Sequence, residues 1–256
     1  MLARLATAPP TALSWGRRFY PDVVAAGSLA AALERAAAGL EEQPTLVPGR
    51  REIPGSVGIA TTTPFRLPLV VILRTESRAF QVHGRAGGID IVSGVTRNLT
   101  DVVEAGVAWA PGATVARMRA TLTFLDSDPI AEAHERGPVA AVTAQWDLLR
   151  EKATSVPRFP EFGSLIEAAH AEPRLRRLFP FTSHWTVASS SCTGRPYRDE
   201  IAISPPSGGG PYIVLRYANT GVHGEAPNAA EAVAPALAHL PHSVGPAVAG
   251  CTGRPK

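Results

Sequence analysis

The run Phe179-Pro-Phe-Thr-Ser-His184-Trp185 sets an imidazole beside an indole. An imidazole titrates near neutrality and can take or give a proton, so His184 is the candidate catalytic residue of this chain. Read as a strand, the run sends His184 and Trp185 to opposite faces, one lining a cavity and the other packing in the core. Trp185, or a tyrosine such as Tyr212, then supplies an apolar wall for a small polycyclic or peptide substrate. The same residues have a purely structural reading, with His184 satisfied by backbone groups and Trp185 in the core. His83 ends a strand-like run far upstream and reaches His184 only if the two strand-rich regions share a sheet; otherwise it is structural or solvated. Trp185, Tyr212 and His83 are accordingly the candidate substrate-binding residues.

Other chemistry-bearing groups have simpler uses. Asp126 and Asp128 form a D-x-D that suits Mg²⁺, but Pro129 directly after Asp128 reads as the first turn of a helix with Asp128 as its cap. His239 and His242 flank Leu240-Pro241, where the proline breaks the spacing a paired metal site needs. No metal site is expected. Arg174, Arg176 and Arg177 form a local basic cluster, either a phosphate or carboxylate contact or a solvated helix end. The P-loop, G-x-S-x-G and H-E-x-x-H patterns are absent, His134-Glu135 being followed by Arg-Gly-Pro. Gly84-Arg-Ala-Gly-Gly88 lies between strands, the wrong context for a dinucleotide fingerprint. The chain therefore calls for no ATP, NAD or flavin, and no cofactor is expected.

These residues need elements to hold them. Ser28 caps a helix over Leu29–Glu42, and after a connector rich in proline and glycine the period turns extended in 67–75, 78–84 and 88–95, a three-stranded meander. Asn98 caps the next helix, Leu99–Ala110, with Asp101 near its positive end. The runs 184–191, 198–205 and 212–219 repeat the plan, and Asn228 caps a second helix containing Pro235, which removes a hydrogen bond and kinks it. The two meander-plus-helix units span 56–112 and 183–242. Between them, an insertion over 127–178 holds three helices punctuated by Pro129, Pro138 and Pro160. A meander with one helix cannot cover both faces of its sheet, so the expected fold is α+β: two pseudo-repeated units packed as a two-layer sandwich in a single domain over 20–242. Residues 1–19 read as a flexible leader and 243–256 as a flexible tail.

The pentapeptide Cys-Thr-Gly-Arg-Pro occurs at 192–196 and again at 251–255, holding both cysteines of the chain. The copies are out of register with the longer repeat and read as independent turns. Two cysteines in 256 residues do not make a disulfide framework, and reduced thiols in a cytoplasm are expected. The net charge of +3 is spread thinly, without the dense basic stripe that nucleic acid requires. Lys152 and Lys256 are the only lysines, a bias that reads as GC-rich coding. Arg, Pro or Gly breaks every apolar run, so no membrane span is expected either.

The strings at 20–33 (YPDVVAAGSLAAAL), 144–153 (AQWDLLREKA) and 178–187 (LFPFTSHWTV), with the alanine-rich helix before Pro241, resemble a family of actinobacterial proteins of unknown function labelled natural product biosynthesis proteins. The resemblance runs from about Tyr20 to Pro241, departs at Pro235 and in the leader, and implies no reaction or catalytic residues. It points to a pathway intermediate, small molecule or peptide, as partner, and a homodimer is one assembly open to the chain. Two functions follow: a cytoplasmic tailoring enzyme that cyclises, isomerises or hydrolyses its substrate by cofactor-independent acid/base chemistry through His184, or a non-catalytic binding, carrier or immunity-type module. The first needs an apolar pocket containing His184; the second needs an exposed patch or open sheet edge.

Overall fold

A computed structural model describes residues 16–53, 55–216 and 219–250. Most of the leader and the second Cys-Thr-Gly-Arg-Pro lie outside the described residues. Those described divide into two compact units, one running to Ala86 and from Asp90 to Asp128, the other comprising Gly87–Ile89 and the chain from Pro129. Each combines helices with an antiparallel sheet, so the chain is α+β.

The first unit contains α1 (Pro21–Ala26), α2 (Leu29–Ala37), β1 (Leu46–Pro48), β2 (Val57–Ile59), β3 (Leu69–Leu73), β4 (Phe80–Ala86), β5 (Ile89–Thr96), α3 (Leu99–Trp109), α4 (Val115–Thr121) and β6 (Leu125–Asp126). Ser28 caps α2 by accepting from the Ala31 N–H, and Asn98 caps α3 by accepting from that of Thr100. The six strands form a meander in chain order, with Val71 opposite Val82 and Leu73 opposite Phe80. Strand alternation puts Ile59, Leu69, Val71, Phe80 and Val82 on one buried face. Helix α3 packs there so tightly that Gly106 meets Ile59 and Gly84 meets Trp109.

The second unit contains α5 (Ala131–Glu135), α6 (Pro138–Thr154), α7 (Pro160–Ala171), α8 (Pro173–Arg176), β7 (Phe179–Ser183), β8 (Thr186–Ser190), β9 (Asp199–Ser204), β10 (Tyr212–Arg216), β11 (Asn219–Ala226) and α9 (Ala229–His239). Its five-stranded sheet runs β11-β10-β9-β8-β7, leaving β7 at one edge. Val187, Ile201, Ile203, Tyr212 and Val214 share a core with Trp146 and Leu149 of α6, Phe162 and Ile166 of α7, and Ala232 and Ala236 of α9. Pro235 does lie inside α9, and its ring packs over Gly224 of β11, where the missing side chain leaves it room.

Three expectations need correction. The meanders have six and five strands rather than three each, and they are separate sheets. The unexpected strands are three residues or fewer (β1, β2, β6), begin Phe-Pro-Phe (β7), or carry two glycines (β11), so none shows a clean alternating pattern. The helix expected from Asp128 starts at Ala131 with Ile130 at its cap position. Beyond α9, the Ala247 N–H donates to the Arg177 carbonyl and Val248 bridges in parallel to Cys192, so this stretch of the expected tail lies along the second unit. Among the described residues, no helix is long and apolar enough to cross a membrane.

Candidate functional site

Strands β7 and β8 pair with Ser183 opposite Thr186, which leaves His184 and Trp185 as a two-residue hairpin loop. A loop of that length needs a first residue with positive φ to match the strand twist, and His184 takes it, with φ of 55°. His184 and Trp185 are therefore not strand neighbours on opposite faces; both are exposed. The Trp185 indole, 39% accessible, lies edge-on to Phe159 and Phe162 of the α7 start, each ring centroid 5.3 Å away.

Lys152, in the last turn of α6, reaches this cluster. Its ammonium lies 5.4 Å from the Trp185 ring centroid and 5.7 Å from that of Phe162, and it donates to Thr182 Oγ1 at 3.3 Å. The ring faces attract a cation but do not neutralise it. Among the described residues no carboxylate pairs with Lys152; Glu167 of α7 is taken by Arg150 through a two-pronged contact at 2.7 and 3.1 Å. An uncompensated positive charge is thereby fixed at the edge strand.

Two grooves each have one lining residue in contact with that charge. The larger, about 530 Å³, is lined by Gln145 of α6, Phe181, Thr182 and Ser183 of β7, and Arg195 and Tyr197 of the β8–β9 loop. The smaller, about 360 Å³, is lined by Phe159, His184, Trp185, Thr186, Ser204 and Pro205. Lys152 touches Thr182 of the first and Trp185 of the second. Gln145 and Lys152 are seven residues apart and so share a helix face. Tyr197 stacks on Phe181 at 4.4 Å, with the Arg195 guanidinium 5.7 Å from its ring, building a wall that is aromatic and cationic.

The loop carrying that wall is anchored from below. The buried Ser190 hydroxyl donates to the Cys192 carbonyl at 2.8 Å and accepts from the N–H groups of Cys192 and Arg198. Val248 accepts from the Thr193 N–H and donates to the Ser191 carbonyl. Gly194 approaches Gly250 so closely that a Cβ would fall 2.9 Å from its Cα. The first Cys-Thr-Gly-Arg-Pro is thus a turn clamped by the residues that precede the second, and Cys192 is a buried free thiol.

The remaining sequence candidates lie elsewhere. Tyr212 is 4% exposed, and its hydroxyl donates to the Glu161 carbonyl at 3.0 Å, so it is part of the core; burial pushes its phenol upward. His83 is half-buried on β4 of the other unit. With two separate sheets, the condition under which it would join His184 is not met. Burial holds its imidazole below the usual histidine range, with Arg50 acting in the same sense and Asp90 opposing. Arg174 caps α9, donating to the Leu240 carbonyl at 3.1 Å, which gives one member of the basic cluster a structural use. His239 donates from Nδ1 to the Pro235 carbonyl at 2.9 Å and stacks on His223. Among the described residues no three His, Cys, Asp or Glu side chains are grouped to hold a metal ion.

Sequence reasoning missed Gln145, Lys152, Arg195 and Tyr197. One signal was present: Lys152 is one of two lysines in a chain that otherwise uses arginine. Fold and grooves together define a helix-covered antiparallel sheet with a cationic, aromatic cleft at its edge strand. Residues 140–251, less than half of the chain, match a family of unknown function, DUF6193, and every lining residue of both grooves falls inside that segment. No curated protein and no solved structure matches the chain.

Proposed function

We propose that the second unit binds an anionic small molecule or peptide bearing a planar group, an intermediate of a natural product pathway. The observation that carries this reading is the Lys152 ammonium, held by two aromatic faces and one hydroxyl, paired with no carboxylate among the described residues, and in contact with Thr182 of one groove and Trp185 of the other. A ligand carboxylate at Lys152 gains a charge-assisted contact, while its planar part lies against Trp185 or Tyr197. The grooves are open and His184 is exposed, which favours holding a ligand over enclosing a reaction from water. The resemblance of the α6 and β7–β8 strings to natural product biosynthesis proteins supports the pathway assignment, because both strings contribute to these grooves. The test uses 2-naphthoate as probe, read on the Trp185 indole signal by NMR. Lys152→Met keeps the aliphatic stem and should weaken binding by about tenfold or more, the effect of one lost charged contact. Equal affinity in Lys152→Met and in Arg195→Met would remove the reading.

One observation favours a second reading, a tailoring enzyme with His184 as general acid or base. His184 lines the smaller groove next to Trp185, where an imidazole can give a proton to a bound ligand or take one from it. Here the imidazole shares its groove with Trp185, over which the Lys152 ammonium can stabilise a developing oxyanion. His184→Asn, which tolerates the same backbone conformation, should then abolish turnover of a bound intermediate while binding persists.

A further inference from the structure

The first unit carries a cleft of its own on the face of its sheet opposite α3. Alternation along β4 sends Val82 and Gly84 to the core and His83 and Arg85 to the other side. Across that outer face His83 is opposite Val70 of β3, Val70 is opposite Gly58 of β2, and Gly58 is opposite Val47 of β1. Gly58 contributes no side chain to this row, and beside it lies a cavity of about 180 Å³. Its floor is apolar, from Pro48, Leu67, Pro68 and Val70, and Arg50 and Arg85 line it as well.

The charges around the cleft do not balance. Arg85 Nε is 3.1 Å from Asp90 Oδ1, so one carboxylate answers one guanidinium. Arg50 pairs with no carboxylate among the described residues, although it lies near enough to His83 to disfavour its protonation. Two guanidiniums thus line the cleft beside an apolar floor, and that of Arg50 has no carboxylate partner among the described residues. A cavity of about 150 Å³ holds one benzene ring, so this volume suits a compact body.

We propose that this cleft is a second binding site, for a small carboxylate with a compact apolar body. The carboxylate lies between Arg50 and Arg85, where guanidinium geometry matches it, and the body rests on Leu67, Pro68 and Val70. An apolar floor is wasted on inorganic phosphate, which carries no body to cover it. The site shares no lining residue with the grooves beside Lys152.

The experiment titrates the full chain with benzoate, acetate and inorganic phosphate, following the His83 ring signals by NMR and affinity by calorimetry. Benzoate should shift the His83 signals and bind more tightly than acetate, with phosphate weakest. Arg50→Met should weaken benzoate by about tenfold, as expected for one charged contact, and Lys152→Met should leave the His83 response unchanged. Arg50→Lys keeps the charge but loses the two-pronged contact, and should weaken benzoate several-fold; it serves if the methionine variant does not fold. Unmoved His83 signals, equal affinity in the Arg50 variants, or phosphate outcompeting benzoate would each overturn the assignment. A response that vanishes in Lys152→Met would assign benzoate to the other unit and also overturn it.

Discussion

Gly84→Ala tests the packing of the first unit at its tightest point. A Cβ at this position would fall 2.6 Å from Cη2 and Cζ3 of Trp109 and from Cγ2 of Val92, whereas carbon atoms in contact prefer about 3.5–4 Å. Roughly 1 Å must be found, and the indole has little freedom to yield it. Trp109 is fully buried, its Nε1–H donates to the Leu67 carbonyl at 3.1 Å, and the Arg66 guanidinium lies 4.5 Å over its ring. Overpacking costs about 1–3 kcal/mol, and stretching the indole hydrogen bond adds about 1 kcal/mol. Loss of glycine's freedom in the unfolded chain returns under about 1 kcal/mol. The expected net loss is about 1–3 kcal/mol, read by native-state hydrogen exchange of the β4 and α3 amides, which isolates this unit. Trp109→Phe removes two of the three atoms that the new methyl strikes and leaves Val92 Cγ2, so in that background Gly84→Ala should cost less by about 1 kcal/mol, since contacting residues couple. An equal cost in both backgrounds would refute the claim that the indole excludes a side chain at 84.

Tyr212→Phe removes the hydroxyl that donates to the Glu161 carbonyl and should cost about 1 kcal/mol in urea unfolding of the second unit, while 2-naphthoate binding stays unchanged because the ring lies in the core; a change in that affinity would return Tyr212 to the groove. The Arg78 guanidinium grips Asp22 at 2.7 and 2.8 Å and holds its carboxyl below the usual carboxylate range. A depressed folded value means that this contribution is full above the unfolded pKa and is lost as pH falls through the folded one. Asp22→Asn should therefore cost about 0.5 kcal/mol at neutral pH, discounted because the carboxylate is 42% exposed, and nothing once wild type is protonated in acid; a gap that persists in acid would show another cause.

The elements that could be read directly are those whose local chemistry is complete within a few residues. Ser28, Asn98 and Asn228 sit before alanine- and leucine-rich runs, and each accepts a backbone N–H at a helix start. Pro138 and Pro160 open α6 and α7 because a first-turn proline gives up a donor the helix does not use. The continuous apolar run at 69–73 and the alternating run at 80–86 are strands for the same local reason. Strands β1, β2, β6 and β11 were not legible, since a strand that is short or rich in glycine is held by its neighbour rather than by its own pattern. His184 was legible as chemistry but not as geometry: the feature that turns it into a loop residue is the register of β7 on β8.

What the residues determined by themselves is the α+β class, the caps, the helix starts and the presence of an imidazole beside an indole, because propensity and periodicity act within one turn or one strand. What only the tertiary structure decided is which side chains share a space. Lys152 is a lysine on a helix end until α6 packs on β7 and brings its ammonium to Thr182 and Trp185, and Arg50 is a connector arginine until the strand order brings Arg85 beside it. A site is a set of distances between residues far apart in the chain, and no local pattern encodes those distances.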